Sequence, residues 1–301
     1  MAMAAVRPLE VDVAALAETR ARAGFGVRFL RRLWRSKLAL VGTVVLVVIM
    51  IMCAAAPLIS HQDPNYQSLL QQMQPPAPGH PLGFDELGRD EWTRMLYGGR
   101  LSLFIGLFGT VLGMVIGTVV GAIAGYAGGW LDDLIGRLLD VLLSFPFILL
   151  AILIAAVLGS GVRPVMIALT IGYLPYFARI VRGSVLQLRE SEYVQAAKAL
   201  GASDGRTLFR HILPNTLDTV LVQFTLSAAS AILVAAALSF LGLGVQAPTA
   251  EWGAMVQSAS NYFQQDPALV FYPGVAIFVT VLSINLLGDV LRDVLDPKMV
   301  N

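Results

Sequence analysis

Residue types that commonly do chemistry are scarce in this chain and poorly spaced for it. The three histidines, His61, His80 and His211, are far apart in sequence, and Cys53 is the single cysteine. That inventory points to no disulfide, no His- or Cys-built metal site and no bound cofactor. The nearest approach to a phosphate loop is Gly201-Ala-Ser-Asp-Gly205-Arg206-Thr207, which has the wrong spacing and lacks the lysine that reaches a nucleotide's phosphates. No Ser-His-Asp or paired-carboxylate arrangement presents itself, so no catalysis is expected of the chain itself. A net charge of +1 gives no footing for nucleic acid. What remains is a polar segment, 186–215, and two runs of small residues.

The elements that hold these features are apolar. Of 301 residues, 56% are hydrophobic and only 14% charged, against roughly 25% charged in a soluble domain. Mean hydropathy is +0.72. Charges fall in clumps, leaving uncharged stretches at 38–59, 101–131, 141–162, 164–178, 219–250 and 267–288. A bilayer crossing needs about 20 apolar residues, so these predict an all-α polytopic membrane protein with six spans. The fourth stretch is short and is expected to run on past Arg179 and Arg182, whose side chains can snorkel. Arg20, Arg22, Arg28, Arg31, Arg32, Arg35 and Lys37 precede the first stretch. Basic flanks stay inside, so both termini are expected in the cytoplasm. Arg89, Arg94 and Arg100 on the outer side oppose this weakly. The first apolar run starts too late and is too long for a signal peptide.

No Asp, Glu, Lys or His lies near the middle of any stretch. Gradient-coupled carriers use such intramembrane groups, so the chain is poorly equipped to drive transport alone. Gly109, Gly113, Gly117, Gly121 and Gly125 recur at every fourth residue. Steps of four advance about 40° round a helix, giving a spiral groove for close helix packing, either within the chain or against a second membrane subunit. The fifth stretch carries Ser227, Ser230 and Ser239 among alanines. Ser227 and Ser230 lie about 60° apart and Ser239 about 180° from Ser230. If this helix lines a path, the expected pair on it is Ser227 with Ser230. In the loop, a short helix from about Ser191 should end at Gly201, and Ser203 should cap a second, with Pro214 stopping it or starting the next span. The product is a helix–turn–helix knob expected to expose Val194, Ala197, Leu200 and Leu208.

This loop resembles the coupling motif of ABC importer permeases: Glu-Ala-Ala, three residues, Gly, nine residues, Ile-x-Leu-Pro. Gln195, Ala196, Ala197, Gly201, Ala202, Leu213 and Pro214 stand on or beside it, with Gln195 in place of the family Glu and His211 in place of the Ile. Further segments resemble the C-type permease of dipeptide and oligopeptide importers. These are residues 80–90, Tyr97-Gly-Gly-Arg-Leu-Ser-Leu103, Leu238-Ser-Phe-Leu-Gly-Leu-Gly244, Glu251-Trp252-Gly253 and residues 285–297. The resemblance runs from about residue 35 to 298. It implies a type I importer permease fold in a bacterial inner membrane and a heterodimer with a homologous B-type permease. It further implies two ATPase subunits or domains that hold ATP and Mg, an extracytoplasmic peptide-binding protein, and membrane lipid around the spans. The expected layout is a cytoplasmic segment 1–37, a first helix 38–59 and an outer loop 60–95. A core 96–292 with the coupling loop 186–215 and a tail 293–301 complete it. Nickel chelates, glutathione or haem stay open as cargo, and a self-contained carrier is the competing class.

Overall fold

A computed structural model describes residues 25–295, which are mostly helical with no strand among them. Residues 1–24 and 296–301 lie outside the described residues, and with them Arg20, Arg22 and the Asp296-Pro297 end of the last resembling segment. The helices are α1 (Phe25–Arg35), α2 (Lys37–Ala54), α3 (Ala56–Ile59), α4 (Glu91–Ala127), α5 (Gly129–Ser144) and α6 (Phe147–Leu158). They continue as α7 (Val162–Arg189), α8 (Glu192–Ala199), α9 (Asp204–Phe240), α10 (Trp252–Ser260) and α11 (Ala268–Leu295). Among the described residues, five helices, α2, α4, α7, α9 and α11, are long and apolar enough to cross a membrane. Counted as one broken span, the pair α5–α6, bent by 90°, makes a sixth.

The glycine stripe organises the centre. Added Cβ atoms at Gly109, Gly113 and Gly117 would meet Leu169, Thr170 and Leu174; at Gly121 and Gly125 they would meet Ala178 and Arg182. Both series rise together, so α4 and α7 pack in parallel, backbone against backbone, and the stripe is spent within the chain. Parallel neighbours require the intervening chain to cross back. That return falls to α5 and α6, broken at Phe145-Pro146. The proline lacks the N–H an unbroken helix needs, so the stretch 141–162 is not the single straight span expected.

Other boundaries also shift. α4 starts at Glu91, ten residues before the uncharged stretch, because Asp90 caps it: its carboxylate accepts from Thr93 N at 2.8 Å. The expected outer loop 60–95 therefore loses its last residues to a helix. The stretch 219–250 stops being helical at Phe240. There Ser239 accepts from Val245 N at 3.1 Å and turns the chain toward α10. α7 does run past Pro175, Arg179 and Arg182, but those arginines pair with α5 rather than only reaching for the interface. Arg179 Nη2 lies 2.6 Å from Asp140 Oδ1, and Arg182 Nη2 2.7 Å from Asp132 Oδ2.

Candidate functional site

The two ends of α4 are about 55 Å apart at 1.5 Å per residue, and each end carries a distinct polar structure. At the Ala127 end sits the knob. Leu200 N donates to Ala196 O, Gly201 N to Lys198 O at 2.9 Å, and Ala202 N to Ala197 O at 3.0 Å. That bond pair is the Schellman closure, and it needs a left-handed residue at its turn. Gly201 supplies it, with φ +86° and open space around its missing side chain. Ser203 then accepts from Arg206 N, starting the next helix.

The second arm of the knob is not a separate short helix. It runs straight into the fifth span through a π-turn at Thr207–Ile212. The wider turn aims Ile212 fully inward, one residue after the family position that His211 occupies. Asn215 Nδ2 holds the His211 carbonyl at 2.6 Å, and the proline at 214 sits in the first turn of the regular helix that follows. Val194 and Leu208, expected to be exposed, are buried against Val185 and Ile212 in the central core. The exposed apolar surface is instead Tyr193, Leu200 (89% exposed) and Phe209 (68%), with Ala197 half-buried. Gln195 is exposed and donates from Nε2 to Arg189 O at 3.1 Å, which fastens α8 to the end of α7. Ala196 and Pro214 are exposed, and Ala202 and Leu213 half-buried. Tyr126 Oη donates to Asp204 at 2.6 Å and Arg189 Nη1 to Gly125 O at 3.2 Å, so the knob is pinned to α4 as well.

The serine pair expected on a path does not share an accessible face. Ser227 is buried and receives a bond from Gln223 Nε2 at 3.1 Å, whereas Ser230 is exposed. A helix step of three brings their Cα atoms near one face, but α9 packs against other helices over the half that holds Ser227.

The Glu91 end holds a cluster that the sequence pattern hides. Residues 80–90 fold into a plug whose charged side chains point inward. Arg89 is fully buried and donates to Asp85 Oδ2 at 2.5 Å and to Glu86 Oε1 at 2.9 Å. Arg94 forms an ion pair with Asp85 and donates to Pro64 O at 3.0 Å and to Pro248 O at 3.2 Å, so one guanidinium ties three segments together. His80 Nδ1 lies 2.7 Å from Asp90. Glu251 receives Ser102 Oγ at 2.7 Å and Ala254 N at 2.9 Å, capping α10 while it joins α4. Trp252 Nε1 reaches Met95 O at 3.0 Å, and its ring fills the space beside Gly99. Burial, then the neighbouring Asp85 charge, push the Glu86 carboxyl above its ordinary range. Arg89 and Arg94, which argued weakly against the topology, are consumed by these pairs. The visible signals were Asp90-Glu91 before an apolar run and Glu251 before Trp252-Gly253. Nothing local distinguishes the inward charges from a solvated loop.

Sequence comparison settles the lineage. Residues 117–301 match the family described as binding-protein-dependent transport system inner membrane component. The chain belongs to that family. Residues 24–76 match the N-terminal transmembrane domain of oligopeptide transport permease C. The permease is 45% identical over 269 residues to the dipeptide transport system permease protein DppC of Alkalihalophilus pseudofirmus, covering 89% of this chain and 88% of that one. It is 46% identical to a putative peptide transport system permease protein of Brucella suis, over 89% and 90%. Against the glutathione transport system permease protein GsiD of Salmonella typhimurium it is 47% identical over 272 residues, 90% of each. Among solved structures, a chain of the MetNI methionine ABC transporter in inward-facing conformations superposes with a TM-score of 0.55 and 20% identity. The match covers 67% of this permease and 96% of that chain. The fold is therefore that of an ABC importer permease, in a multi-pass membrane protein.

Proposed function

We propose that this permease forms half of a peptide importer's membrane path and receives its power stroke at the Gly201 knob. The observation that carries this is the knob itself: a Schellman turn that presents Tyr193, Leu200 and Phe209 outward while the Gln195 bond to Arg189 O and the Tyr126 bond to Asp204 pin it to α7 and α4. A rigid apolar projection on a chain without a phosphate loop suits a contact with ATPase subunits that bind ATP and Mg and do the hydrolysis. The side bearing the knob also carries Arg31, Arg35, Lys37, Arg137, Arg179, Arg182, Arg189, Lys198, Arg206 and Arg210. An excess of that kind supports a cytoplasmic knob and cytoplasmic termini. The plug at 80–90 and α10 then face the outside, where a binding protein would deliver cargo. A homologous B-type permease completes the path, with lipid covering the exposed apolar faces.

Di- and oligopeptides are the proposed cargo, on the strength of the DppC and peptide-permease likenesses. The equal likeness to a glutathione permease supports a second reading, a γ-linked tripeptide. Proteoliposomes holding this chain, its neighbouring permease and ATPase partners decide the matter. Labelled dipeptide should enter only with ATP and binding protein. Entry of glutathione alone would favour the second reading, and entry driven by the chain without partners would refute both.

A further inference from the structure

Helix α1 has a face that no other part of the described chain covers. At 100° per residue, Val27, Leu30 and Trp34 fall within about 60° of one another, and all three are exposed, Trp34 by 69%. Arg31 and Arg35, one turn apart, line the flank of that strip and are exposed too. The opposite face fixes the helix in place. Leu33 is buried with Ala39, Val290 and Val294, and Arg32 Nη2 pairs with Asp293 Oδ2 of α11 at 2.6 Å. The outward face is thus oriented by packing, not by chance rotation.

Its position along the chain says what it meets. Ser36 interrupts the helix and caps α2, accepting from Ala39 N, so α1 ends where the first membrane helix begins. An exposed indole at that level sits in the interfacial belt, and an apolar strip edged with basic residues is the pattern of a helix lying in the interface plane. Two guanidinium groups beside the strip, with Lys37 next along the chain, present planar donor forks at headgroup depth. We propose that α1 is an anionic-phospholipid site: Val27, Leu30 and Trp34 enter the acyl boundary while Arg31 and Arg35 bind headgroup phosphate. The site rests on α2 crossing a bilayer and is independent of cargo and coupling.

The test uses the full chain in nanodiscs of phosphatidylcholine with a minority of phosphatidylglycerol, brominated on the acyl chains of one lipid or the other. Trp34 emission is read as the difference between the parent and Trp34→Phe, which removes the signals of Trp92, Trp130 and Trp252. A surface arginine enriches an anionic headgroup about five-fold, so brominated phosphatidylglycerol should quench Trp34 at least about two-fold more per molecule than brominated phosphatidylcholine. In Arg31→Gln/Arg35→Gln the two lipids should quench equally. Equal quenching in the parent, or a preference that survives the double substitution, overturns the headgroup site. Absence of quenching by either lipid means that protein covers the strip and overturns the proposal entirely. Inorganic phosphate added at fixed ionic strength should leave the ratio unchanged; its collapse would mean a soluble anion is the ligand. None of these readouts involves uptake, so the transport proposal stands or falls separately.

Discussion

Alanine at Gly121 puts a methyl group against the backbone of α7. Its Cβ would lie 2.9 Å from both the carbonyl carbon and the Cα of Ala178, where carbon atoms prefer about 3.5–4.0 Å. Relief requires α4 and α7 to part by over half an ångström, and the neighbouring close approaches at Gly117 and Gly125 leave no room to pivot. Overpacking of that kind costs about 1–3 kcal/mol. The better helix propensity of alanine returns up to about 1 kcal/mol, so the steric part needs a reference. Gly136 on α5 provides it, being helical with nothing within 4 Å of an added Cβ. Chemical unfolding of each variant in the same lipid–detergent micelles, followed by helical circular dichroism, gives the difference. Gly121→Ala should be less stable than Gly136→Ala by about 1–3 kcal/mol. Equal stability would refute the claim that α4 and α7 touch through their backbones.

Arg89→Met should leave the Glu86 carboxylate buried without its partner and Asp85 with Arg94 alone, costing about 3–5 kcal/mol. The check is protease cleavage within 60–90, which should rise sharply while the spans stay protected. Glu86 holds its proton more tightly folded than unfolded. Stability should therefore fall as pH rises from the ordinary carboxylate range through the folded pKa. Glu86→Gln should flatten that slope in unfolding curves, and an unchanged slope would mean another group sets it. For topology, Gln67→Cys in a Cys53→Ser background should react with an impermeant thiol reagent added outside intact cells. Labelling only after lysis would invert the orientation.

The membrane class and the turn at Gly201 were legible because both rest on local chemistry. Uncharged runs mark spans, and a glycine followed by a capping serine marks a left-handed helix end. The bend at Phe145-Pro146 had its proline in plain view, yet only the parallel run of α4 against α7 shows why the chain must cross back there. The plug around Arg89 was illegible for a different reason. Asp85, Glu86, Arg89 and Arg94 mix both signs as a solvated loop does, and the Arg94 contacts to Pro64 and Pro248 come from segments distant in sequence. Val194 and Leu208 were misplaced because an isolated knob would expose them, whereas this one leans on Val185 and Ile212. Ser227 and Ser230 show the same limit, since a helical wheel gives angles but not which neighbour covers them.

Coupling through the knob is the central claim, and Gly201→Val tests it most directly. A β-branched residue at φ +86° costs at least about 1–2 kcal/mol, yet the open space around Gly201 means no membrane helix is displaced. Damage should stay local, tilting α8 and its Tyr193 and Leu200 surface relative to Phe209. In proteoliposomes with the ATPase subunits, second permease and binding protein, the variant should assemble at normal abundance. Peptide uptake should be lost, and ATP hydrolysis should no longer rise when loaded binding protein is added. Normal uptake at normal abundance would contradict the account, because the turn would then not be the element that carries the motion.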